Sequence, residues 1–127
     1  MEHPADLRYT AEHEWVRVEG TRAVVGITDY AQDQLGDVVY VSTPVVGAPV
    51  AAGDPVCEVE STKSVSDVYS PVSGVVAEVN TTLESTPELV NEDPYGRGWI
   101  FVVSMSDASE VERLMDADAY AAFVAAR

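Results

Sequence analysis

Lysine, histidine and cysteine are scarce in this chain of 127 residues, and each scarcity excludes a class of protein. The single Cys57 cannot form an internal disulfide bond and gives no sign of an oxidising compartment. Its place in an alternating apolar stretch predicts a buried thiol rather than a nucleophile. His13 has no cysteine or second histidine at ligand spacing, so we expect no metal site. Without a nucleophile elbow or a glycine-rich phosphate loop, no residue is a candidate for catalysis.

A long apolar run is also missing, because no stretch reaches the length that spans a bilayer. Residues 1–6 are acidic and polar, unlike a signal peptide or an arginine-rich transit peptide. We therefore expect a cytoplasmic protein that is made in the form in which it works. The length fits a single domain over residues 1–127, large enough to bury a core without metal or disulfide help.

Basic residues are outnumbered, with 22 acids against seven bases and a formal net charge of −15. Affinity for nucleic acid and for anionic membranes rests mainly on lysine and arginine near phosphate. We therefore expect the protein to bind neither of them. We also expect it to be a monomer. Its partners are expected to be proteins with basic docking faces, because complementary charge raises association rates.

Short segments of alternating apolar and polar residues recur along the chain, and this period of two is typical of half-buried strands. Turn residues separate the segments, and Gly20 and Thr21 join the first two in a hairpin. The pattern predicts a small, mainly β sandwich or barrel with helices only at its margins. The predicted strands cover residues 14–19, 22–27, 37–41, 55–60, 74–80 and 99–103.

Helix signals are confined to two places. Thr28 is an N-cap residue type and Gly36 can end a helix, which predicts a short helix near 28–35. A C-terminal helical segment is expected over about 108–126, with an apolar stripe at Val111, Leu114 and Met115. Between these regions, residues 81–97 contain many turn formers and are predicted to form a long loop with a helical turn. His3 is expected in a frayed terminus.

Lys63 is the only lysine, and the other six bases are arginines. Similar strand and turn patterns precede and follow it, which predicts that it lies at the tip of a hairpin covering about 55–80. Its neighbours are small or polar, and Glu58, Glu60 and Asp67 favour the charged ammonium. A catalytic amine needs a depressed pKa, so this lysine is a poor candidate for catalysis. It is a good candidate for an amine that another enzyme recognises and modifies.

The segment from Glu60 to Gly74, ESTKSVSDVYSPVSG, resembles the lipoyl-attachment segment of the H proteins of the glycine cleavage system. Motifs elsewhere match the same family in order, so the resemblance covers nearly the whole chain. It implies a barrel-sandwich hybrid of two antiparallel sheets, similar to a lipoyl domain. The matching motifs are Tyr9-Thr10, His13 to Val16, Gly26 to Gln32, Leu35 to Asp37, Leu89 to Asn91, Asp93 to Gly96, and Gly98-Trp99.

The resemblance implies a carrier rather than an enzyme, with lipoate attached to Lys63 in amide linkage. Such a carrier shuttles the aminomethyl group of glycine between glycine decarboxylase, aminomethyltransferase and dihydrolipoamide dehydrogenase. A tether of this kind keeps a reactive group from being lost between sites. Lipoyl-attachment enzymes are expected to recognise the residues around the lysine, which are Glu60, Ser61, Thr62 and Ser64.

The family is also expected to fold the loaded arm into a surface cleft that protects it from water. By resemblance, Glu14 and Asp67 are the carboxylates that receive the protonated amine of the cargo, through charge-assisted hydrogen bonds. Gln34 departs from the pattern, because some members have a histidine there.

Other carriers remain as alternatives. A biotin carrier is expected to have methionines beside its lysine, where this chain has Thr62 and Ser64. A lipoyl domain of a 2-oxoacid dehydrogenase is expected to be smaller, with aspartate before the lysine. A relay that passes lipoate to other proteins, or an unmodified binding module, stays open at this point.

Overall fold

The computed structural model describes residues 1–127, which form nine strands in two antiparallel sheets with short helices around them. The mainly β class with two antiparallel sheets is therefore confirmed. The strands are β1 (Arg8–Tyr9), β2 (Glu14–Glu19), β3 (Arg22–Ile27), β4 (Val38–Ser42), β5 (Pro49–Val50), β6 (Pro55–Ser61), β7 (Val65–Tyr69), β8 (Gly74–Val79) and β9 (Phe101–Met105). The helices are α1 (Asp29–Leu35), α2 (Leu89–Glu92) and α3 (Ala117–Ala125), with 3₁₀ turns at Thr81–Glu84 and Ala108–Arg113.

The strands divide unequally between the two sheets. The larger sheet has the order β1-β2-β3-β9-β8-β5, and the smaller has the order β4-β6-β7. An apolar core of 17 buried residues contains side chains from both sheets, including Val25, Val59 and Phe101. None of the helices combines the length and the apolar composition that a bilayer crossing requires.

A second apolar cluster packs on the larger sheet and involves α3. Tyr9 and Tyr120 stack with ring centroids 4.6 Å apart, and Trp15 is fully buried in the same cluster. His3 packs its ring edge-on against Tyr120 at 5.1 Å, so the expectation of a frayed terminus at this residue was wrong. The remaining buried members are Leu7, Val24 and Val102.

The hairpin of β2 and β3 depends on a glycine opposite a tryptophan. Trp15 pairs with Gly26 across the strands, and a Cβ atom at Gly26 would lie 2.7 Å from the indole ring. Such a contact is too close for any side chain. The Trp15 ring can therefore lie over position 26 only because that residue is glycine. The indole nitrogen of Trp15 donates a hydrogen bond to the carbonyl of Pro94 at 2.9 Å.

The short helix α1 forms where its capping residues predict it. The Thr28 hydroxyl accepts a hydrogen bond from the Ala31 amide at 3.2 Å. Gly36 ends the helix with a φ of 83°, a left-handed value that favours glycine.

The C-terminal region differs from its prediction. The 3₁₀ turn ends at Arg113, and Met115 pairs with Tyr9 as an isolated antiparallel bridge, so the expected helical stripe through Met115 was wrong. Competition with the edge of β1 explains this, because Tyr9 and Met115 exchange two backbone hydrogen bonds of 2.8 and 2.9 Å. The last strand also begins later than predicted, at Phe101 rather than Trp99.

Candidate functional site: the Lys63 turn and its groove

Lys63 is exposed in the turn between β6 and β7, at the end of the smaller sheet. Ser61 organises this turn from inside the protein, where its side chain is buried. Its hydroxyl oxygen accepts hydrogen bonds from the Lys63 and Ser64 amides at 3.3 and 3.1 Å. The Ser61 amide donates to the Ser64 carbonyl at 2.8 Å. A backbone held in this way gives the lysine a fixed base.

A second contact ties the turn to the chain between α1 and β4. The Thr62 amide donates to the Asp37 carbonyl at 3.1 Å. The aliphatic stem of Lys63 also lies near the end of α1, because a Cβ atom at Gly36 would be 3.6 Å from Lys63 Cε. The segment from Gly36 to Val38 therefore supports both the backbone and the side chain of the lysine.

Asn91, at the end of the chain's second helix, holds that supporting segment in place. Its Oδ1 accepts a hydrogen bond from the Val38 amide at 2.8 Å. Its Nδ2 donates to the Gly36 carbonyl and to Gln32 Oε1, both at 2.9 Å. Sequence reasoning assigned no role to Asn91 although it is part of a family motif. Its partners are more than 50 positions away, so only the three-dimensional structure reveals the role.

A groove of about 390 Å³ runs beside the lysine turn, along β7, which is the edge strand of the smaller sheet. Its wall combines apolar side chains with polar and acidic ones, and a volume of this order suits a small organic ligand. The apolar lining residues are Ile27, Tyr30, Ala31, Leu35, Val59, Val65 and Val68, and the polar ones are Glu12, His13, Gln34, Ser64, Ser66 and Asp67.

The two carboxylates expected at the cleft occupy different environments. Asp67 is exposed and lines the groove. Glu14 is only 1% exposed, does not line the groove, and is held by hydrogen bonds from the Thr10 hydroxyl at 2.6 Å and from the Tyr69 amide at 3.0 Å. The exposed carboxylate on the groove wall besides Asp67 is Glu12, which sequence reasoning missed.

Burial changes the acidity of Glu14. Removal from water raises the pKa of its carboxyl from 4.5 to about 7, and the nearby Glu12 acts in the same direction. The hydrogen bonds from Thr10 and Tyr69 stabilise the charged form and oppose the rise. Near neutral pH both the protonated and the ionised form of this carboxyl are therefore populated.

His13 is a second groove residue whose place the sequence did not reveal. It has a φ of 69°, and its Nδ1 lies 2.8 Å from the Tyr120 hydroxyl. That hydroxyl lies 2.7 Å from Thr28 Oγ1, so the groove wall is linked to α3. Burial, with a further contribution from Arg127, lowers the pKa of His13. The neutral ring that results is suited to a hydrogen-bonded wall position.

The residues expected to be recognised around the lysine are also divided by exposure. Glu60, Thr62 and Ser64 are exposed, whereas Ser61 is buried and acts on the shape of the turn. Gln34 is exposed on the groove wall. Cys57 is buried as predicted, and burial raises the pKa of its thiol to about 12.

Comparison with known proteins identifies the family. The family model described as "Glycine cleavage H-protein" matches residues 7–127. This chain belongs to the glycine cleavage H-protein family. The H protein of Anaeromyxobacter sp. (strain K) is 58% identical over 124 residues, which cover 98% of this chain and 97% of the relative. The H protein of Brevibacillus brevis is 55% identical over 124 residues, covering 98% of each chain.

A solved structure gives the same result. The crystal structure of a glycine cleavage system H protein from Mycobacterium marinum superimposes with a TM-score of 0.88 at 42% identity. It covers 96% of this chain and 98% of that chain. The H-protein fold and its two sheets are therefore shared over nearly the whole length.

H proteins are carriers that hold lipoate on a lysine and do not catalyse the reactions of the glycine cleavage system. This H protein has one lysine, and its surroundings fit such a group. The Lys63 amine is exposed, and the adjoining groove offers an apolar wall for a hydrocarbon arm with acidic groups beside it.

Proposed function

We propose that Lys63 carries lipoate in amide linkage and that the chain presents this arm to glycine decarboxylase, aminomethyltransferase and dihydrolipoamide dehydrogenase. The observation that carries the proposal is the only lysine of the chain, exposed on a hydrogen-bonded turn beside a groove. When bound, lipoate supplies a disulfide that can accept the aminomethyl group of glycine and be restored by oxidation. The residues of the chain around Lys63 then bind and position the arm and do not react with it.

The turn presents the amine, and the groove protects the cargo. Attachment of lipoate removes the positive charge of Lys63, so the arm can lie against apolar residues such as Leu35 and Val59. The cargo carries an ammonium group, which pairs favourably with a carboxylate. We assign that pairing to Asp67, which lines the groove, as does Glu12.

Glu14 supports the same pairing from behind the groove wall. Its Oε2 accepts the Tyr69 amide two residues beyond Asp67, which fixes the end of β7. An ammonium in the groove would favour the ionised form of Glu14, because opposite charges lower the pKa of an acid. Replacement of Glu14 by alanine is therefore expected to shorten the lifetime of the loaded cargo in water.

Lipoyl-attachment enzymes are proposed to recognise Glu60, Thr62 and Ser64 by contact and Ser61 through the shape of the turn. The exposure of the first three and the burial of Ser61 support this division. Ser61→Ala removes the acceptor of two amide hydrogen bonds. It should therefore slow lipoate attachment more than Ser64→Ala does.

Intact-mass measurement after co-expression with a lipoyl-attachment enzyme tests the assignment of Lys63. We expect one lipoyl-sized mass increase on the parent protein and none on Lys63→Arg. Arginine keeps the charge and the long stem but cannot be acylated in this way, so it is a matched control. Equal modification of both proteins would reject the site.

Reconstituted glycine–bicarbonate exchange separates the glycine cleavage role from a lipoate relay. The lipoylated protein should support exchange with glycine decarboxylase, and the protein without lipoate should not. A fully lipoylated protein that supports no exchange but passes lipoate to another lipoyl domain would favour the relay.

We further propose that the protein works as a monomer in the cytoplasm. Cys57 is buried, and its raised pKa keeps the thiol from ionising. This supports a protein that forms no disulfide bond. Light scattering coupled to size exclusion tests the first point, with 13.6 kDa as the expected mass. Fractionation of cells followed by detection of the protein tests the second.

A further inference from the structure

An apolar patch on the open face of the smaller sheet lies directly beside the lysine turn. Strand pairing places Tyr40 of β4, Glu60 of β6 and Val65 of β7 side by side. This row is the last one before the lysine turn to which all three strands contribute. Directly opposite residues of neighbouring strands point to the same face, so these three side chains share the open face. Tyr40 is 55% exposed and Val65 is 57% exposed.

A bulge in β4 enlarges the patch. The register shifts between Val38 and Tyr40, which leaves Val39 as an extra residue opposite the same row, and it is 49% exposed. We name Val39, Tyr40, Glu60 and Val65 the lysine-side patch. Three of the eight large hydrophobic residues exposed on the whole chain belong to it.

Packing of the sheet does not explain this exposure. The neighbouring positions Val41 and Val59 point inward and are buried in the core, so the open face is not needed to complete it. Tyrosine is enriched at protein interfaces, because its ring is apolar and its hydroxyl can make a hydrogen bond. Apolar side chains grouped at one place on a surface mark a site that something else covers.

The charged side chains on the three strands of the smaller sheet are all acidic, and Lys63 is the one base in the turn beside them. Glu58 and Asp67 form the next row on the same face, and none of β4, β6 and β7 contains an arginine. Over residues 23–96 the chain has 12 acids and Lys63 as its single base. A partner that covers this face must therefore bring arginine or lysine side chains around an apolar hollow.

We infer that the lysine-side patch is the docking surface of the enzyme that acylates Lys63. This inference rests on the proposed function. Acyl transfer requires the carbonyl carbon of the activated acyl group to reach bonding distance of Lys63 Nζ. The bond from that carbon to its leaving group breaks as the amide forms, and the nitrogen releases its protons. The acylating enzyme must therefore cover the turn and the row beside it.

Enzymes that act on the far end of the attached arm have no such requirement, because the length of the arm separates them from the turn. Contact with Val39 and Tyr40, which lie outside the groove, is therefore required only of the acylating enzyme. The patch thus distinguishes one partner from the other three by geometry.

Steady-state lipoylation kinetics test this inference, with lipoate, ATP and a lipoyl-attachment enzyme as the probe and intact mass as the readout. Threonine replaces Val39 and Tyr40, singly and together, because it preserves strand propensity and because neither residue lines the groove. We expect the KM for the carrier to rise about tenfold in the double variant with little change in kcat, the loss typical of a central interface residue. Glu60→Gln should weaken the salt dependence of kcat/KM.

Val45→Thr and Val46→Thr serve as matched controls. These residues are 74% and 56% exposed, and the Gly47 amide that follows them bonds to Val76 of the larger sheet rather than to the row beside Lys63. They should leave kcat/KM unchanged. Circular dichroism checks that all variants remain folded.

Three results would overturn the inference. The first is a double variant with the same kcat/KM as the controls, and the second is a fall in kcat alone, which would assign the patch to the shape of the turn. The third is an equal slowing of glycine–bicarbonate exchange once the double variant has been fully lipoylated. If Lys63 of the parent accepts no lipoate, the proposed function fails and the docking surface falls with it.

Discussion

The two sheets of this protein are covered to different extents. In the larger sheet, five of the six residues of the central strand β3 are buried, so both faces of that strand are packed. In the smaller sheet, β6 alternates between exposed and buried residues, so one face remains open. The aromatic cluster that includes Trp15 and Tyr120 covers the larger sheet, whereas nothing in the chain covers Tyr40 and Val65.

This difference separates stability from presentation. A sheet packed on both faces can hold a structure firmly, because burial of apolar area is the main favourable term in folding. A sheet with a free face can meet partners without unfolding anything. Lys63 belongs to the open sheet, and Glu14 connects the two sheets by bonding from β2 to the Tyr69 amide of β7.

Truncation of Trp15 should lower the stability of the protein more than any of the substitutions below. Trp15→Ala removes a fully buried indole from the covered sheet and leaves the Pro94 carbonyl without its donor. We expect the free energy of unfolding to fall by about 3–5 kcal/mol, as for other buried aromatic residues. Urea denaturation measures it, and a loss below 1 kcal/mol would show that this face is not the stable one.

The link between the sheets should respond to pH. Glu14 has a pKa of 4.5 when unfolded and about 7 when folded, so the native state retains a proton that the unfolded chain releases between these values. The contribution of Glu14 to stability is therefore fully present below the lower value and is lost as the pH rises through the upper one, by about 3 kcal/mol in total. Denaturation at several pH values between 4 and 8, scanned for the parent and Glu14→Gln, measures this. Parallel curves for the two proteins would contradict the prediction.

Loss of Asn91 should loosen the lysine turn while costing about 2 kcal/mol of stability, because three hydrogen bonds disappear. Asn80→Ala is a matched control, since the Asn80 side chain also makes three hydrogen bonds, but to the backbone of Thr82, Arg97 and Trp99. Amide exchange at Thr62 should accelerate in Asn91→Ala and stay unchanged in Asn80→Ala. Equal exchange in both variants would show that Asn91 does not support the turn.

Substitution on the open face should have the smallest effect on folding. Tyr40→Ser removes an aromatic ring that is 55% exposed and belongs to neither apolar core cluster, so we expect a change below about 0.5 kcal/mol. Urea denaturation of Tyr40→Ser and Trp15→Ala under the same conditions compares the two losses of unfolding free energy directly. A loss approaching that of Trp15→Ala would mean that the smaller sheet also depends on its open face.

Local patterns predicted strands in both sheets: β2 and β3 have the predicted bounds and β6 differs by one residue, whereas β7 was not predicted as a strand. The alternation in β6 reflects one wet and one dry face, and this is legible in the sequence. The exposed turn at Lys63 follows from the small polar residues around it. The capping of α1 by Thr28 and Gly36 is likewise a local effect, so its bounds were predicted well.

Long-range competition decided what the sequence could not predict. Met115 leaves its helical pattern because the edge of β1 offers it two backbone partners. His3 is ordered by aromatic rings far along the chain. The burial of Glu14 depends on Thr10 and Tyr69 together, and residue type alone could not separate it from the exposed acid Asp67.

The bonds at Thr62 and Ser61 have a mechanical consequence for the arm. They hold the backbone of the turn in place, so motion of the arm comes from the Lys63 side chain rather than from the backbone. The radius that the cofactor can sweep is then set by the side chain and the chain of atoms attached to it. Whether the arm lies parked along β7 or reaches outward becomes a matter of rotamers, which interchange far faster than a turn could refold.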